Sequence, residues 1–271
     1  IDTIAPNQAV VEGVLLGDLI DPDQLTSDLQ PRVQGKAEPG SQVTVEVDGT
    51  TRATTTADSQ GVWRLRLNGL SDGNHTVVAW ATDTAGNQGG TSSTTTFTRD
   101  TVSPTSPTLD RVAPDTGARD DDGITSANTL TLEGRAEAGA TLFVVVDEQV
   151  ASTLVVGSSG TWTTQISSLV EGKHIIDVQI RDAAGNQASG GARTVWIDFT
   201  APVAPVFARI QEDTGTSSVD RLTRVAPLFI AGTGEPGALI RLDGLLASGG
   251  TGLLASGKVV TDGTWSLQPV N

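Results

Sequence analysis

Residues 35–49 read GKAEPGSQVTVEVDG, a turn with Gly and Pro, then alternating polar and apolar residues, then an Asp-Gly pair. The alternation from Gln42 to Asp48 puts every second side chain on one face, which is typical of a half-buried β-strand. The pair Asp48–Gly49 is a turn signal between two strands. This stretch therefore predicts a short strand that ends in a hairpin.

The opening motif of this stretch recurs twice farther along the chain. GKAEPG begins at Gly35, GRAEAG begins 99 residues later at Gly134, and GTGEPG begins a further 98 residues on at Gly232. Three other landmarks keep this period: Gly-x-Trp segments, Asp-x-Ala-Gly-Asn loops and Asp-x-x-x-Pro linkers. They begin at Gly61, Gly160 and Gly263; at Asp83 and Asp182; and at Asp2, Asp100 and Asp198. Landmarks that keep one period indicate tandem domains of one kind.

The period also sets the expected domain boundaries. We interpret residues 1–6 as the closing linker of a preceding repeat, 7–100 as repeat 1, 101–198 as repeat 2, and 199–271 as an incomplete repeat 3 without strands F and G. The repeat length and frequent turn signals predict an all-β protein: tandem seven-stranded Ig-like β-sandwiches arranged end to end. In repeat 2, strands A, B, C, E, F and G are expected near residues 107–112, 129–137, 140–147, 161–167, 174–182 and 192–198.

The composition excludes several kinds of function. The chain has no Cys, so it can form no disulfide, no thiolate zinc site and no thiolate nucleophile. It carries 17 Lys and Arg against 32 Asp and Glu, and the net charge of −15 argues against nucleic-acid binding. No stretch approaches the roughly 20 apolar residues that span a bilayer, so we expect no membrane insertion of this segment.

Few residues are candidates for catalysis. His75 and His174 occupy one position in two repeats, at the turn before strand F, and no Ser–His–Asp arrangement repeats around them. We interpret both as structural residues that hydrogen-bond this turn. The chain is therefore predicted not to be an enzyme.

The Trp residues divide into two groups. Trp63, Trp162 and Trp265 share one inward position and are predicted to lie in the cores. Trp80 and Trp196 fall on the outward phase of their strands. They either contact a glycan or protein ligand, or pack across strands and domain junctions.

Acidic residues recur where the domains are expected to meet. An Ig topology places the F–G loop, the loop after strand B and the entering linker at one end of the domain. Carboxylate and amide oxygens are the ligands that calcium selects, although Asp and Asn also favour turns on their own account. The predicted calcium ligands are Asp2, Glu38, Asp83 and Asn87 for repeat 1, Asp100, Glu137, Asp182 and Asn186 for repeat 2, and Asp198 and Glu235 for repeat 3.

Together these motifs resemble the bacterial Ig-like repeats of giant secreted adhesins. The shared features are the Gly-x-Ala-Glu-Pro-Gly turn, the Gly-x-Trp strand, the Asp-x-Ala-Gly-Asn loop, the closing linker and the segment DTGTSSVD at 213–220. The resemblance covers essentially the whole chain. It implies a stalk of many copies on a bacterial surface, type I secretion as in RTX-like adhesins, and calcium at the junctions. Repeat 1 departs from the pattern, because its acidic loop GDLIDPD at 17–23 is spaced differently.

The sequence thus predicts a structural stalk segment of a large extracellular adhesin. Its expected partners are the neighbouring repeats of the same chain, with a host or matrix ligand bound through other domains. Two alternatives remain: a glycan- or protein-binding Ig-like module, and an accessory Ig-like region of an extracellular hydrolase. An exposed aromatic platform would favour the first alternative, and only the flanking sequence decides the second.

Overall fold

The computed structural model describes residues 1–117, 119, 121–211, 214, 224, 227–245 and 249–269. The chain divides into two compact units, residues 1–199 and 200–271, and repeats 1 and 2 lie in the first. The described residues form strands, turns and extended segments, and none lies in a helix long and apolar enough to cross a membrane. Of the motif at 213–220, only Thr214 is among them.

Repeat 1 is a sandwich of two sheets. One sheet has the order β2-β1-β4-β7, and the other has the order β3-β9-β8-β5-β6. The short strand β3 runs parallel to β9, and the remaining pairs are antiparallel. The strands are β1 (Val10–Leu16), β2 (Leu19–Ile20), β3 (Leu25–Thr26), β4 (Arg32–Lys36), β5 (Gln42–Val47), β6 (Thr50–Thr56), β7 (Val62–Arg66), β8 (Gly73–Thr82) and β9 (Thr95–Arg99).

Repeat 2 repeats this architecture. Its sheets have the orders β10-β12-β15 and β11-β18-β16-β13-β14, with β17 paired to β16. The strands are β10 (Thr108–Ala113), β11 (Ile124–Thr125), β12 (Leu130–Arg135), β13 (Thr141–Val146), β14 (Gln149–Val155), β15 (Thr161–Ile166), β16 (Gly172–Arg181), β17 (Gln187–Ser189) and β18 (Arg193–Ile197). Strands A, B, C, E, F and G are therefore confirmed to within two residues, whereas β11, β14 and β17 were not predicted.

The described residues of the second unit form a three-stranded sheet and a hairpin. One sheet has the order β19-β20-β23, and β21 pairs with β22 in a hairpin. The strands are β19 (Val206–Ile210), β20 (Ile230–Thr233), β21 (Leu239–Leu245), β22 (Thr251–Lys258) and β23 (Thr264–Leu267). The all-β class and the tandem Ig-like architecture are thus confirmed.

The alternating sequence fills the cores as predicted. Val43, Val45 and Val47 of β5 are fully buried, because strand geometry turns every second side chain inward. Trp63, Trp162 and Trp265 are 1%, 4% and 6% exposed, which confirms them as core residues.

The packing of these Trp rings explains the first glycine of the repeated motif. A Cβ atom on Gly35 would lie 2.4 Å from the ring of Trp63, and one on Gly134 would lie 2.7 Å from the ring of Trp162. Such distances are far below van der Waals contact, so only glycine lets the ring cover the backbone of the neighbouring strand.

Candidate functional site: the interdomain linker

The Asp-x-Ala-Gly-Asn loop is organised by its own aspartate. In repeat 1, Oδ1 of Asp83 accepts the N–H groups of Ala85 and Asn87, both at 2.8 Å, and Oδ2 accepts the side-chain amide of Asn87 at 2.8 Å. The bond from this side chain, with those from the backbone, lowers the pKa of Asp83 below its usual value. In repeat 2, the carboxylate of Asp182 bonds the backbone and side-chain amides of Asn186 in the same way, both at 2.9 Å.

The asparagine of this loop reaches the linker that enters the domain. Nδ2 of Asn186 donates to the carbonyl of Asp100 at 2.9 Å. Nδ2 of Asn87 donates to the carbonyls of Asp2 and Ile4 at 3.2 and 3.3 Å. The predicted asparagines therefore lie at the linker, but they face it with the amide nitrogen and not with the carbonyl oxygen.

Two glutamates of the repeated turn motif each contact the linker that enters their own domain. Oε2 of Glu137 accepts the N–H of Thr105 at 3.2 Å, and Oε2 of Glu235 accepts the N–H of Val203 at 3.0 Å. Glu38 occupies the matching turn in repeat 1, where its carbonyl accepts the hydroxyl of Ser41 at 2.7 Å.

The linker aspartates close short turns of their own. Oδ1 of Asp2 accepts the N–H of Ile4, and Oδ1 of Asp100 accepts the N–H of Val102, both at 3.0 Å. Such local bonds are what Asp favours at turns. Asp198 has a different kind of contact: its backbone N–H donates at 2.9 Å to the carbonyl of Thr125 on β11, the strand that runs parallel to β18.

Sequence reasoning missed the contacts that hold the linker to repeat 1. Arg99, at the end of β9, is only 8% exposed, and its guanidinium bonds Oδ1 of Asp72 at 2.8 Å. The same carboxylate accepts the hydroxyl of Thr101 at 2.9 Å. One signal could have revealed this pair: Arg99 falls on the inward phase of its strand, where a charge needs a partner.

Hydrogen bonds from both repeats overlap on the linker. Repeat 1 bonds Thr101 through Asp72, while repeat 2 bonds the preceding residue, Asp100, through Asn186. Pro104 is buried, and its ring fixes one backbone angle of the same segment. No residue therefore separates the last contact with repeat 1 from the first contact with repeat 2.

The residues predicted to bind calcium lie along the linker, but they do not gather into a cage. In the described part of the chain, no group of three or more His, Asp or Glu side chains lies close enough to hold a metal ion. The carboxylates of Asp83, Glu137 and Asp182 already accept N–H groups of the protein. In this conformation the fit to calcium is poor.

The two histidines stabilise the turn before strand F, as predicted. Nε2 of His75 lies 2.9 Å from the carbonyl of Ser71, and Nε2 of His174 lies 2.9 Å from that of Val170. Each Nδ1 also contacts an aspartate of the preceding hairpin, Asp48 at 2.7 Å and Asp147 at 2.6 Å. The histidines therefore join two turns of the same domain.

Comparison with known proteins identifies a protein family that the chain matches. The sequence profile of the bacterial Ig-like domain matches residues 18–101 and 103–199. No curated protein matches the chain.

Several solved structures are similar to the chain. The fibronectin(III)-like modules of Clostridium thermocellum CbhA are 16% identical, with a TM-score of 0.48 over 70% of this chain and 93% of theirs. A structure from a 1.5-MDa bacterial ice-binding adhesin is 24% identical, with a TM-score of 0.34 over 88% of this chain and 79% of its own. The BSP domain of a biofilm associated protein is 18% identical, with a TM-score of 0.26 over 65% of this chain and 29% of its own.

Proposed function

The chain belongs to the bacterial Ig-like domain family, and we propose that it is a stalk segment of a large bacterial cell-surface adhesin. In this role it lies outside the cell and extends a distal adhesive domain away from the surface. Its partners are the neighbouring repeats, and the adhesin is exported by type I secretion. The net charge of −15 would keep neighbouring stalks soluble and mutually repelling.

The overlap of hydrogen bonds at Asp100 and Thr101 supports this proposal most directly. Flexible linkers let domains reorient, because each free residue adds two soft backbone angles. Here both domains bond adjacent linker residues, and a stalk requires such a connection between its domains.

Interdomain distances test the stalk. Because the chain has no Cys, the changes Thr54→Cys and Thr153→Cys would place single spin labels on exposed strands of repeats 1 and 2. We expect electron–electron resonance to give a narrow distance distribution that broadens in the double variant Asp72→Ala with Asn186→Ala. Asn74→Ala is the matched control, because Asn74 bonds Thr98 within repeat 1 and not the linker.

A second control sets the scale of a flexible connection. Inserting Gly-Ser-Gly-Ser after Val102 should give the broadest distribution. If the unaltered chain is as broad as this insertion variant, the repeats are flexibly tethered and the stalk proposal is wrong.

Calcium is the part of the proposal that the hydrogen bonds support least. The linker region supplies carboxylate and carbonyl oxygens, which calcium prefers, but ligation would have to replace the N–H donors described above. Calcium that binds only the folded form would raise the melting temperature. We therefore propose titration calorimetry with CaCl₂, with MgCl₂ as control, on the chain and on Asp100→Asn with Asp182→Asn.

The calcium test is separable from the stalk test. If neither the melting temperature nor the width of the distance distribution differs between calcium and chelator, calcium has no role at this junction. A narrow distribution in chelator would still support the stalk, held by hydrogen bonds alone.

A further inference from the structure

The outer faces of the two large sheets differ between the repeats. In repeat 1, Thr44 of β5 pairs with Trp80 of β8, and Glu46 pairs with Val78. In repeat 2, the matching pairs are Phe143 with Gln179 and Val145 with Asp177. The apolar residue of each pair therefore lies on β8 in repeat 1 but on β13, the neighbouring strand of the sheet, in repeat 2. The repeats thus keep the fold but present different outer surfaces.

This exchange creates an apolar groove on repeat 2. Val145 lies beside Val150 on β14 and near Ile175 on β16, and the three side chains line one open groove. Val150 is 61% exposed and Ile175 is 46% exposed. The matching residues of repeat 1 are Glu46, Thr51 and Thr76, so repeat 1 lacks the apolar floor of this groove.

Acidic side chains form the rim of this groove. Asp147, Glu148 and Asp177 line it, with no Lys or Arg among its lining residues. Asp147 is paired with His174, whereas neither Glu148 nor Asp177 enters an ion pair with the residues that the structure describes. The rim therefore carries negative charge around an apolar floor.

The same sheet shows which chemistry covers such a surface. The guanidinium of Arg181 lies over the ring of Phe143, with its carbon 5.2 Å from the ring centre. Arg and Lys cover apolar surface with their aliphatic stems while their charge stays in contact with water or an anion. The neighbouring groove has the floor and the anions for such a side chain, whereas none of the described residues that line it is a Lys or Arg.

We infer that this groove binds an extended segment of a partner protein in which Lys or Arg alternates with apolar residues. The apolar side chains would cover Val145, Val150 and Ile175, and the cations would meet Glu148 and Asp177. Strand β14 ends its sheet and so offers backbone groups beside the groove. A second copy of the chain is a poorer occupant, because each copy carries a net charge of −15. The inference goes beyond the stalk role and does not depend on it.

A peptide titration of the full chain tests the groove. The probe is the blocked hexapeptide (Arg-Val)₃, and (Glu-Val)₃ is its charge control, both followed by amide NMR shifts of the labelled chain. We expect (Arg-Val)₃ to shift the signals of Val145, Val150 and Ile175, with weaker binding at higher salt. The signals of Thr51 and Thr76 in repeat 1 should not move.

Exchanging the groove for its repeat 1 counterpart sharpens the test. The triple variant Val145→Glu, Val150→Thr and Ile175→Thr carries residues that the same fold already accepts, and circular dichroism checks its folding. Its affinity for (Arg-Val)₃ should fall roughly tenfold or more, as expected when central apolar contacts are lost. Val155→Thr is the matched control, since Val155 is 68% exposed on the same strand but does not line the groove.

Several results would overturn the inference. These are no shifts at millimolar peptide, equal binding of (Glu-Val)₃, or unchanged affinity in the triple variant. Concentration-dependent shifts of the groove without peptide would show that a second copy occupies it, and the inferred partner would then be wrong.

Discussion

Repeats 1 and 2 share one fold, but their last strands end differently. Strand β9 ends at Arg99, which is 8% exposed and paired with Asp72, whereas β18 ends at Ile197, which is 1% exposed in the core. Both residues directly precede the linker aspartate. One inward position of this sandwich therefore accepts either an aliphatic side chain or an ion pair.

The ion pair of Arg99 with Asp72 makes further hydrogen bonds that an aliphatic side chain cannot make. The guanidinium of Arg99 also donates to the carbonyls of Leu70 and Asp28, so its desolvation is compensated by several acceptors. Its partner Asp72 bonds Thr101 as well, which ties the base of repeat 1 to the linker. Ile197 has no polar side-chain atom with which to make such a connection.

The largest expected effect on stability comes from introducing into repeat 2 the buried Arg that repeat 1 has at this position. Ile197→Arg should destabilise repeat 2 by about 3–5 kcal/mol, because a buried charge without a positioned partner is costly. Ile197→Val, the size control, should cost only about 0.5–1.5 kcal/mol. Hydrogen exchange resolved by residue would measure the two repeats separately. A loss below about 1 kcal/mol would show that Glu171, at the position of Asp72, can pair with the new Arg.

A smaller effect is expected from removing the carboxylate in repeat 1. Asp72→Ala should destabilise repeat 1 by about 2 kcal/mol, because it breaks hydrogen bonds to a charged, nearly buried group. Asp72 itself is partly exposed, which keeps the loss below that of Ile197→Arg. The double variant Asp72→Ala with Arg99→Ile should recover most of the lost stability. Repeat 2 has an aliphatic residue, Ile197, at the position of Arg99, so the fold accepts such a side chain there. Urea unfolding measures both, and no recovery would show that the site needs its charge.

The sequence alone predicts most of the fold, because its signals are local. Alternation places Val43 and Val45 inward, and the period places the Trp residues, so these assignments hold without knowledge of distant contacts. The contacts at the linker depend instead on how loops distant in sequence approach one another. The partnership of Asp72 with Arg99 joins the loop before β8 to the end of β9, 27 residues apart in sequence. Repeat 2 has Glu171 at the position of Asp72 but Ile197 at that of Arg99, so the pair does not recur and the repeat does not mark it.

The predicted calcium ligands illustrate the same limit. The repeat correctly marks Asn186 and Glu137 as residues of the junction, because both recur with the linker. It does not reveal that Asn186 points its amide nitrogen at Asp100, since orientation depends on the hydrogen bonds of the folded loop. Position was therefore predictable from the sequence, whereas the chemistry of the contact was not.

A moderate effect on stability is expected from the pH dependence of the histidine–aspartate contact, which both repeats contain. Burial lowers the pKa of His174, but bonds to Val170 and Asp147 and the charge of Asp147 outweigh it, so the net pKa is raised. The pKa of Asp147 is lowered, mainly by the N–H of Ile175 and then by His174. The histidine thus stabilises the fold fully below its unfolded pKa of about 6.5, and this is lost as pH rises through its raised pKa. The aspartate contributes above about pH 4, and its share is lost as pH falls through its lowered pKa.

Repeat 2 should therefore be most stable between roughly pH 4 and 6.5 and lose about 1 kcal/mol, one hydrogen bond's net value, at alkaline pH. His174→Gln should flatten the alkaline part of this profile. Lys173→Gln, a change at the exposed neighbour, should leave the profile unaltered. Denaturant unfolding across pH measures both, and an unchanged profile in His174→Gln would assign the response to other groups.

The smallest effect is expected on the outer face of β18. Trp196 is 49% exposed and pairs with Lys173 of β16, whereas Thr98 stands at the same position of repeat 1. Since the ring covers little of the core, Trp196→Ser should change the stability of repeat 2 by no more than about 0.5 kcal/mol. Trp162→Ala, in the core of the same repeat, should cost about 3–5 kcal/mol because it leaves a large cavity. Trp80 is half-buried beside Thr44, so the loss of stability in Trp80→Ser should fall between these limits.

Acrylamide quenching of single-Trp variants checks the order of exposure, with Trp196 quenched most strongly and Trp162 least. The reverse order would mean that the inward and outward phases of these strands are exchanged in solution, which would also remove the basis for comparing the outer faces of the repeats.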